Sequence, residues 1–222
     1  MKIGVTGPQN RTEELKQKIS SLAEVVFIND SDLPKLSDYG LDAFIDLDFD
    51  DNTHRIEYYR NFSNPLLLGA VKTQLAKELM GHKAHGPVFG INALPTFINR
   101  PLLEATFYSE ADKPVLERLA TRLGWQCTWV EDRVGMVTPR VVFMIINEAY
   151  FTVQEGTASK QDIDTGMKLG TNYPHGPFEW LDKVGIAHVY ETLDALYHDT
   201  RDERYKICPM MKTEYLRSSS KI

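Results

Sequence analysis

Only two cysteines occur in the 222 residues, Cys127 and Cys208, and neither belongs to a CxxC or Cys/His spacing. That excludes a zinc ribbon and a disulfide framework, and it points to no metal and to a reducing, cytoplasmic setting. No apolar run approaches the roughly 20 residues that a spanning helix needs. Met1 leads straight into a strand-like run with no basic segment before it, so neither secretion nor a membrane location is expected. There is also no dense Lys/Arg stripe interleaved with aromatics, and the formal net charge is −6. Nucleic acid is therefore not the expected partner. Internal repeats and low-complexity linkers are lacking as well.

What is present is an ordinary globular composition, 42% hydrophobic and 25% charged, long enough for one domain or two compact ones. The first half alternates short apolar runs with amphipathic ones. Lys2 to Thr6, Glu24 to Ile28, Asp42 to Leu47, Pro65 to Ala70 and Pro87 to Ile91 read as strands. Thr12 to Leu22, Thr53 to Phe62 and Lys72 to Met80 read as the helices between them. Leu103 to Tyr108, a helix over Lys113 to Leu123 and a strand over Cys127 to Val130 complete the pattern. Strand–helix–strand order of this kind predicts an α/β layer, Rossmann-like and mostly parallel.

Then the period changes. From Val134 to Gln154 the chain is continuously apolar, too long for a strand, and stops at Gly156. Ser159 and Asp162 resemble a capping box opening a helix to Gly170. The turn Tyr173-Pro-His-Gly-Pro-Phe178 precedes another helical run, Glu179 to Leu196, and Met210 to Leu216 suggests a last helix before a frayed Ser218 to Ser220. The change of period places a boundary at Glu131. Residues 1–131 form the α/β domain and residues 132–222 an all-α domain. A helix as apolar all round as Pro139 to Tyr150 must be buried by its own domain or by a second subunit.

Several runs in this second half carry a family likeness: Gly135-Met-Val-Thr-Pro-Arg140, Asn147-Glu-Ala149, Glu155 through Gly170, and Tyr173-Pro-His-Gly-Pro-Phe-Glu179 with Leu181-Asp182 and Val184-Gly185. Together they resemble the C-terminal domain of 3-hydroxyacyl-CoA dehydrogenases over some eighty residues, continued by Arg204-Tyr205 and Pro209. The resemblance implies a reduced Rossmann-like NAD-binding domain followed by a helical dimerisation domain, a homodimer, and an acyl-CoA ligand. In that family a histidine, oriented by a glutamate, takes the hydroxyl proton as hydride leaves to NAD.

Carried onto this chain position by position, the resemblance meets substitutions. The turn after the first strand reads Gly7-Pro8-Gln9-Asn10-Arg11-Thr12. Only Gly7 remains of the three fingerprint glycines, and Asn29 or Asp30 stands where the ribose-binding acid belongs. NAD is not expected to bind in the usual mode. Asn92, in Phe89-Gly-Ile-Asn-Ala-Leu-Pro95, falls on the histidine position, and Glu104, twelve residues on (104 − 92 = 12), falls on the glutamate position. An amide cannot take a proton from an alcohol, and general base catalysis is worth roughly 10²- to 10⁴-fold. The family's polar substrate contacts are replaced by Val71 and Pro139. A displaced base at His82 or His85, and a phosphate or carboxylate held by Lys72 or Arg140, are the remaining candidates. Two readings stay open, an active oxidoreductase with an atypical site and a non-catalytic binding or scaffolding dimer.

Overall fold

The computed structural model describes residues 1–82 and 84–219, which divide into two compact units, the first ending at Met136 and the second beginning at Val137. The division falls after Met136, not after Glu131. Asp132 belongs to the first unit because its carboxylate accepts the backbone N–H of Leu75 and of Ala76, both at 2.8 Å.

In the first unit seven strands form one sheet: β1 (Lys2–Thr6), β2 (Glu24–Phe27), β3 (Ala43–Asp46), β4 (Leu66–Gly69), β5 (Val88–Ile91), β6 (Leu102–Phe107) and β7 (Gln126–Trp129). Their order is β2-β1-β3-β4-β5-β6-β7, and every pairing is parallel except β5 with β6. All four residues of β3, of β4 and of β5 are buried, the signature of strands covered on both faces. On one face α1 (Gln9–Ile19) and α3 (Lys113–Arg122) bring Leu15, Ile19, Leu116 and Leu119 onto Phe89 and Ile45. On the other, Leu33, Leu36, Phe49, Ile56 and Phe62 pack over Phe44 and Leu68.

The second face departs from expectation in how it is built. Asp30–Tyr39 and Thr53–Tyr59 are 3₁₀ segments, and the helix expected over Lys72 to Met80 shrinks to the single turn α2 (Leu75–Glu78). Pro34 inside the first segment and Gly40 in the left-handed conformation at its end leave no room for a regular helix and a further strand. The chain therefore crosses directly from β2 to β3 on the opposite side of β1. That reversal makes the carboxyl ends of β1 and β3 the topological switch point, where open α/β sheets take their ligands.

The second unit is all helical: α4 (Thr138–Gln154), α5 (Lys160–Thr171), α6 (Pro177–Val184), α7 (Ile186–Thr200) and α8 (Pro209–Ser219). Positive φ at Gly135 and Met136 delays α4 to Thr138. Gly185, at φ +93°, divides the single helix expected over Glu179 to Leu196 into two. The last helix runs through Ser218, where a frayed tail was expected; Ser220 lies outside the described residues. Phe143, Ile146, Asn147 and Tyr150 form the buried stripe of α4. Asn147 clamps the turn before α8, donating to Lys206 O at 3.0 Å and accepting from Cys208 N at 2.9 Å. Ser159 caps α5, its Oγ accepting from Asp162 N at 3.2 Å.

The α5–α6 junction depends on one glycine. Asp164 Oδ1 accepts from Phe178 N at 2.8 Å, holding α5 against the first turn of α6. A Cβ on Gly176 would lie 2.5 Å from Asp164 Cα, a clash with backbone that no rotamer relieves. Gly176→Ala is expected to cost about 2 kcal/mol or more, seen as a lowered thermal midpoint. An unchanged midpoint would show that the junction adjusts freely.

Candidate functional site

The switch-point crevice is built from the residues that follow β1, β3, β4 and β5. At Gly7, φ is +137°, and a Cβ there would lie 2.9 Å from Leu47 Cβ and 3.4 Å from Asp48 Oδ1. The turn after β1 thus runs tight against the end of β3, with a carboxylate beside it. Gln9 and Thr12 keep their side chains in the first turn of α1. Gln9 Nε2 donates to Glu13 Oε1 at 2.8 Å, and Thr12 Oγ1 to Gln9 O at 2.9 Å. An open groove of about 370 Å³ beside the turn includes Thr6, Gln9, Thr12, Lys16 and Phe27 in its walls, with Lys16 Nζ 5.6 Å above the Phe27 ring.

The end of β3 and the turn after it carry four acids, Asp46, Asp48, Asp50 and Asp51. Asp46 is fully buried, its Oδ2 accepting from Tyr59 Oη at 2.5 Å and its Oδ1 from Arg55 Nη1 at 3.2 Å. Arg55 also reaches Asp48 Oδ1 at 2.7 Å and both oxygens of Asp30 at 2.8 and 2.9 Å. Asp30, a candidate for the ribose-binding acid, is therefore engaged by Arg55. Asn29, the other candidate, is exposed and stands at the N-cap position of the 3₁₀ segment from Asp30 without a side-chain capping bond. Burial pushes the Asp46 carboxyl up to about 7 against the opposing pull of Tyr59 and Arg55. Burial would lower the Arg55 guanidinium, but Asp46, Asp48 and Asp30 outweigh it and hold it above its usual range. Asp50 accepts the backbone N–H of Val71 and of Lys72, both at 2.8 Å, and burial pushes it up to about 7 as well. Asp51 bridges Lys72 Nζ at 2.6 Å and Arg11 Nη2 at 3.9 Å.

Asn92 and Glu104 meet because β5 and β6 run antiparallel. Ile91 lies opposite Ala105, so the next pair outward is Asn92 with Glu104 (91 + 105 = 92 + 104), with Asn92 N donating to Glu104 O at 3.1 Å. Opposed residues of such a pair present their side chains to one face. Asn92 Nδ2 donates to Glu104 Oε2 at 3.3 Å, and Asn92 Oδ1 accepts from Leu94 N at 3.4 Å. Both side chains are buried. A carboxylate only accepts, so the NH₂ of the amide must face it. The arrangement is a neutral donor on an acceptor, with no lone pair on nitrogen to take a proton.

The other candidates fall elsewhere. His82 and His85 precede β5, at the end of the strand opposite to Asn92, and His82 Nδ1 lies 3.1 Å from Arg60 Nη2 and 3.6 Å from Glu57 Oε1. Neither is placed as a displaced base for Asn92's position. Lys72 is engaged by Asp51, and Arg140, in the helical unit, donates to Tyr205 Oη at 2.9 Å. Val71 is fully buried, and Pro139 is buried in the first turn of α4. His175 lies edge-on to Trp180, ring centroids 5.1 Å apart, in the turn before α6. Among the described residues no group of three or more His, Cys, Asp or Glu side chains is placed to hold a metal ion, and no helix is long and apolar enough to cross a membrane.

Sequence reasoning missed Arg11 and the acidic run. Four acids within Asp46-Leu-Asp-Phe-Asp-Asp51, directly after a buried strand, were the available signal. An arginine inside the degraded fingerprint was the other.

A mostly parallel sheet with a switch-point crevice, followed by an all-α unit, defines a Rossmann-like α/β protein with a helical C-terminal unit. Residues 135–218 match the model of the 3-hydroxyacyl-CoA dehydrogenase C-terminal domain. The chain is 43% identical over 90 residues to a 3-hydroxyadipyl-CoA dehydrogenase of Escherichia coli, 40% of this chain and 19% of that protein. It is 38% identical over 140 residues to the mitochondrial hydroxyacyl-coenzyme A dehydrogenase of Sus scrofa, 63% of this chain and 45% of that protein. The matched stretches thus span less than half of these relatives. The crystal structure of an (S)-3-hydroxybutyryl-CoA dehydrogenase from Ralstonia eutropha superposes with a TM-score of 0.73 at 20% identity, covering 98% of this chain and 94% of that one, and shows the same fold.

Proposed function

We propose that this chain is a non-catalytic member of the 3-hydroxyacyl-CoA dehydrogenase family, a binding or scaffolding protein of acyl-CoA metabolism. The observation that carries the reading is the Asn92 carboxamide seated on Glu104, where the family's imidazole would stand. The cofactor side supports it. The residues after β1 do not fit a dinucleotide: Gln9 and Thr12 keep side chains where backbone must approach a pyrophosphate, and Asp48 sets a carboxylate beside Gly7.

The helical unit is the part that retains a partner role. Every residue of α5 is at least partly exposed, with Leu169 at 83%, and Val141 of α4 is half exposed. Apolar surface of that kind supports a homodimer through the helices, in a reducing compartment that keeps both thiols free. Sedimentation at micromolar concentration tests the dimer. A monomer would refute it.

Activity is tested by following NADH absorbance with acetoacetyl-CoA, and binding by calorimetry with NADH and with acetoacetyl-CoA separately. No turnover and no NADH heat are expected, with affinity retained for the thioester. Asn92→His would re-create the imidazole–carboxylate pair, yet NADH oxidation should stay at background because the crevice is unsuited to the cofactor. Turnover by the unmodified protein would overturn the reading, and its appearance with Asn92→His alone would overturn the claim that the crevice is unsuited to the cofactor.

A further inference from the structure

The crevice that does not fit a phosphate holds something else. Arg11 lies in the first turn of α1, between the fingerprint positions Gln9 and Thr12, and is only 3% exposed. Its Nη1 donates to Leu47 O at 2.5 Å, immediately after β3, and lies 3.5 Å from Ala93 O, just beyond β5. Its Nη2 stands 3.9 Å from Asp51 Oδ2. A single guanidinium thus reaches over the carboxyl ends of β3 and β5, the parallel strands on either side of β4, along the strip where a ligand of this sheet would lie. A charged group is kept at that depth only where carbonyls and counter-charge replace its water. Asp48, Asp51, Asp50 and Asp46 supply the counter-charge, opposing the loss of hydration that draws the guanidinium's proton affinity down.

We infer that Arg11 is a resident ligand: the switch-point crevice of this chain is a guanidinium site, filled from within, and it selects a cation where the fold's relatives would seat phosphates. The inference deepens the proposed function, since it concerns the same crevice. An entering dinucleotide would have to displace a hydrogen-bonded guanidinium and then meet Asp48 and Asp51 with its own negative charge, which costs both the lost bonds and like-charge repulsion. Two carbonyl oxygens and a carboxylate arranged around one planar cation match the fork geometry of guanidinium better than that of ammonium.

The experiment is chemical rescue. In the full chain, Arg11→Ala opens a space bounded by Leu47 O, Ala93 O and Asp51, and guanidinium chloride is added at low millimolar concentration, far below denaturing levels. The Arg11→Ala protein should lose thermal stability against the unmodified chain. It should regain several degrees with guanidinium or methylguanidinium, and nothing comparable with sodium chloride, ammonium chloride or urea. The unmodified chain should not respond, because its site is filled. If Arg11→Ala does not fold, refolding yield with and without guanidinium reads the same quantity. Arg11→Met, which fills the volume without charge, should be destabilised and unresponsive. Equal responses of the Arg11→Ala and unmodified proteins, full stability of Arg11→Met, or NADH binding gained by Arg11→Ala would each overturn the inference. NADH binding by the unmodified chain would overturn both this inference and the proposed function, whereas failure of guanidinium rescue overturns the inference alone, so the two failures are separable.

Discussion

Arg55→Met is expected to destabilise the chain by about 3–5 kcal/mol at pH 8, the usual cost of stripping one partner from a buried ion pair. Arg55 is 5% exposed and divides its guanidinium among three carboxylates, of which Asp46 is fully buried and Asp48 nearly so. Asp30, with its side chain 68% exposed, contributes little, because water screens that contact. Methionine restores the volume but removes the one cation bonded to both carboxyls, leaving Asp46 its bond from Tyr59 and Asp48 its bond from the Asn52 amide at 2.9 Å, among the described residues. Urea unfolding measures the loss. The same substitution made in an Asp46→Asn background should cost clearly less, because the buried charge that needed Arg55 is gone. A loss below about 1 kcal/mol in the original background would mean that water already reaches the network.

How much of this was legible follows from what each residue needs. The strands were readable because β3, β4 and β5 are apolar on both faces and bounded by polar turns, so their identity is local. The helical unit was readable because its motifs span it at fixed spacing. The pairing of Asn92 with Glu104 was legible as a count of twelve, which the antiparallel register of β5 and β6 turns into contact. The acids after β3 were not legible. Whether Asp46 and Asp48 turn inward depends on Arg55, nine and seven residues on, in a segment whose spacing suggested an α-helix but which closes as 3₁₀ turns. Arg11 was hidden for a related reason. A basic residue in a degraded fingerprint reads as surface charge until the carbonyls of Leu47 and Ala93 are brought over it by strands far away in sequence.

The same network makes stability run against pH in an unusual direction. Asp46 and Asp50 are both pushed up to about 7, burial being the largest cause in each case. Their ordinary value is 3.8, so between about pH 4 and pH 7 the folded chain binds more protons at these two sites than the unfolded chain does. Stability must then fall as pH rises through that window and level off above it. For Asp46 alone the loss across that window is on the order of 4 kcal/mol. Asp50 adds in the same sense with smaller weight, since part of it remains accessible to water. Denaturant midpoints measured from pH 5 to pH 8 should therefore decline. Asp46→Asn isolates the cause, because an amide mimics the protonated acid: its carbonyl oxygen can accept from Arg55 and Asp48 N, and its NH₂ can donate to Tyr59 Oη. That variant should be more stable than the parent at pH 8, nearly equal to it at pH 5, and flatter between. A parent midpoint that rises with pH across this window would show that these carboxyls are ionised throughout, and that Arg55 at Asp46 and the Val71 and Lys72 N–H groups at Asp50 compensate their burial completely.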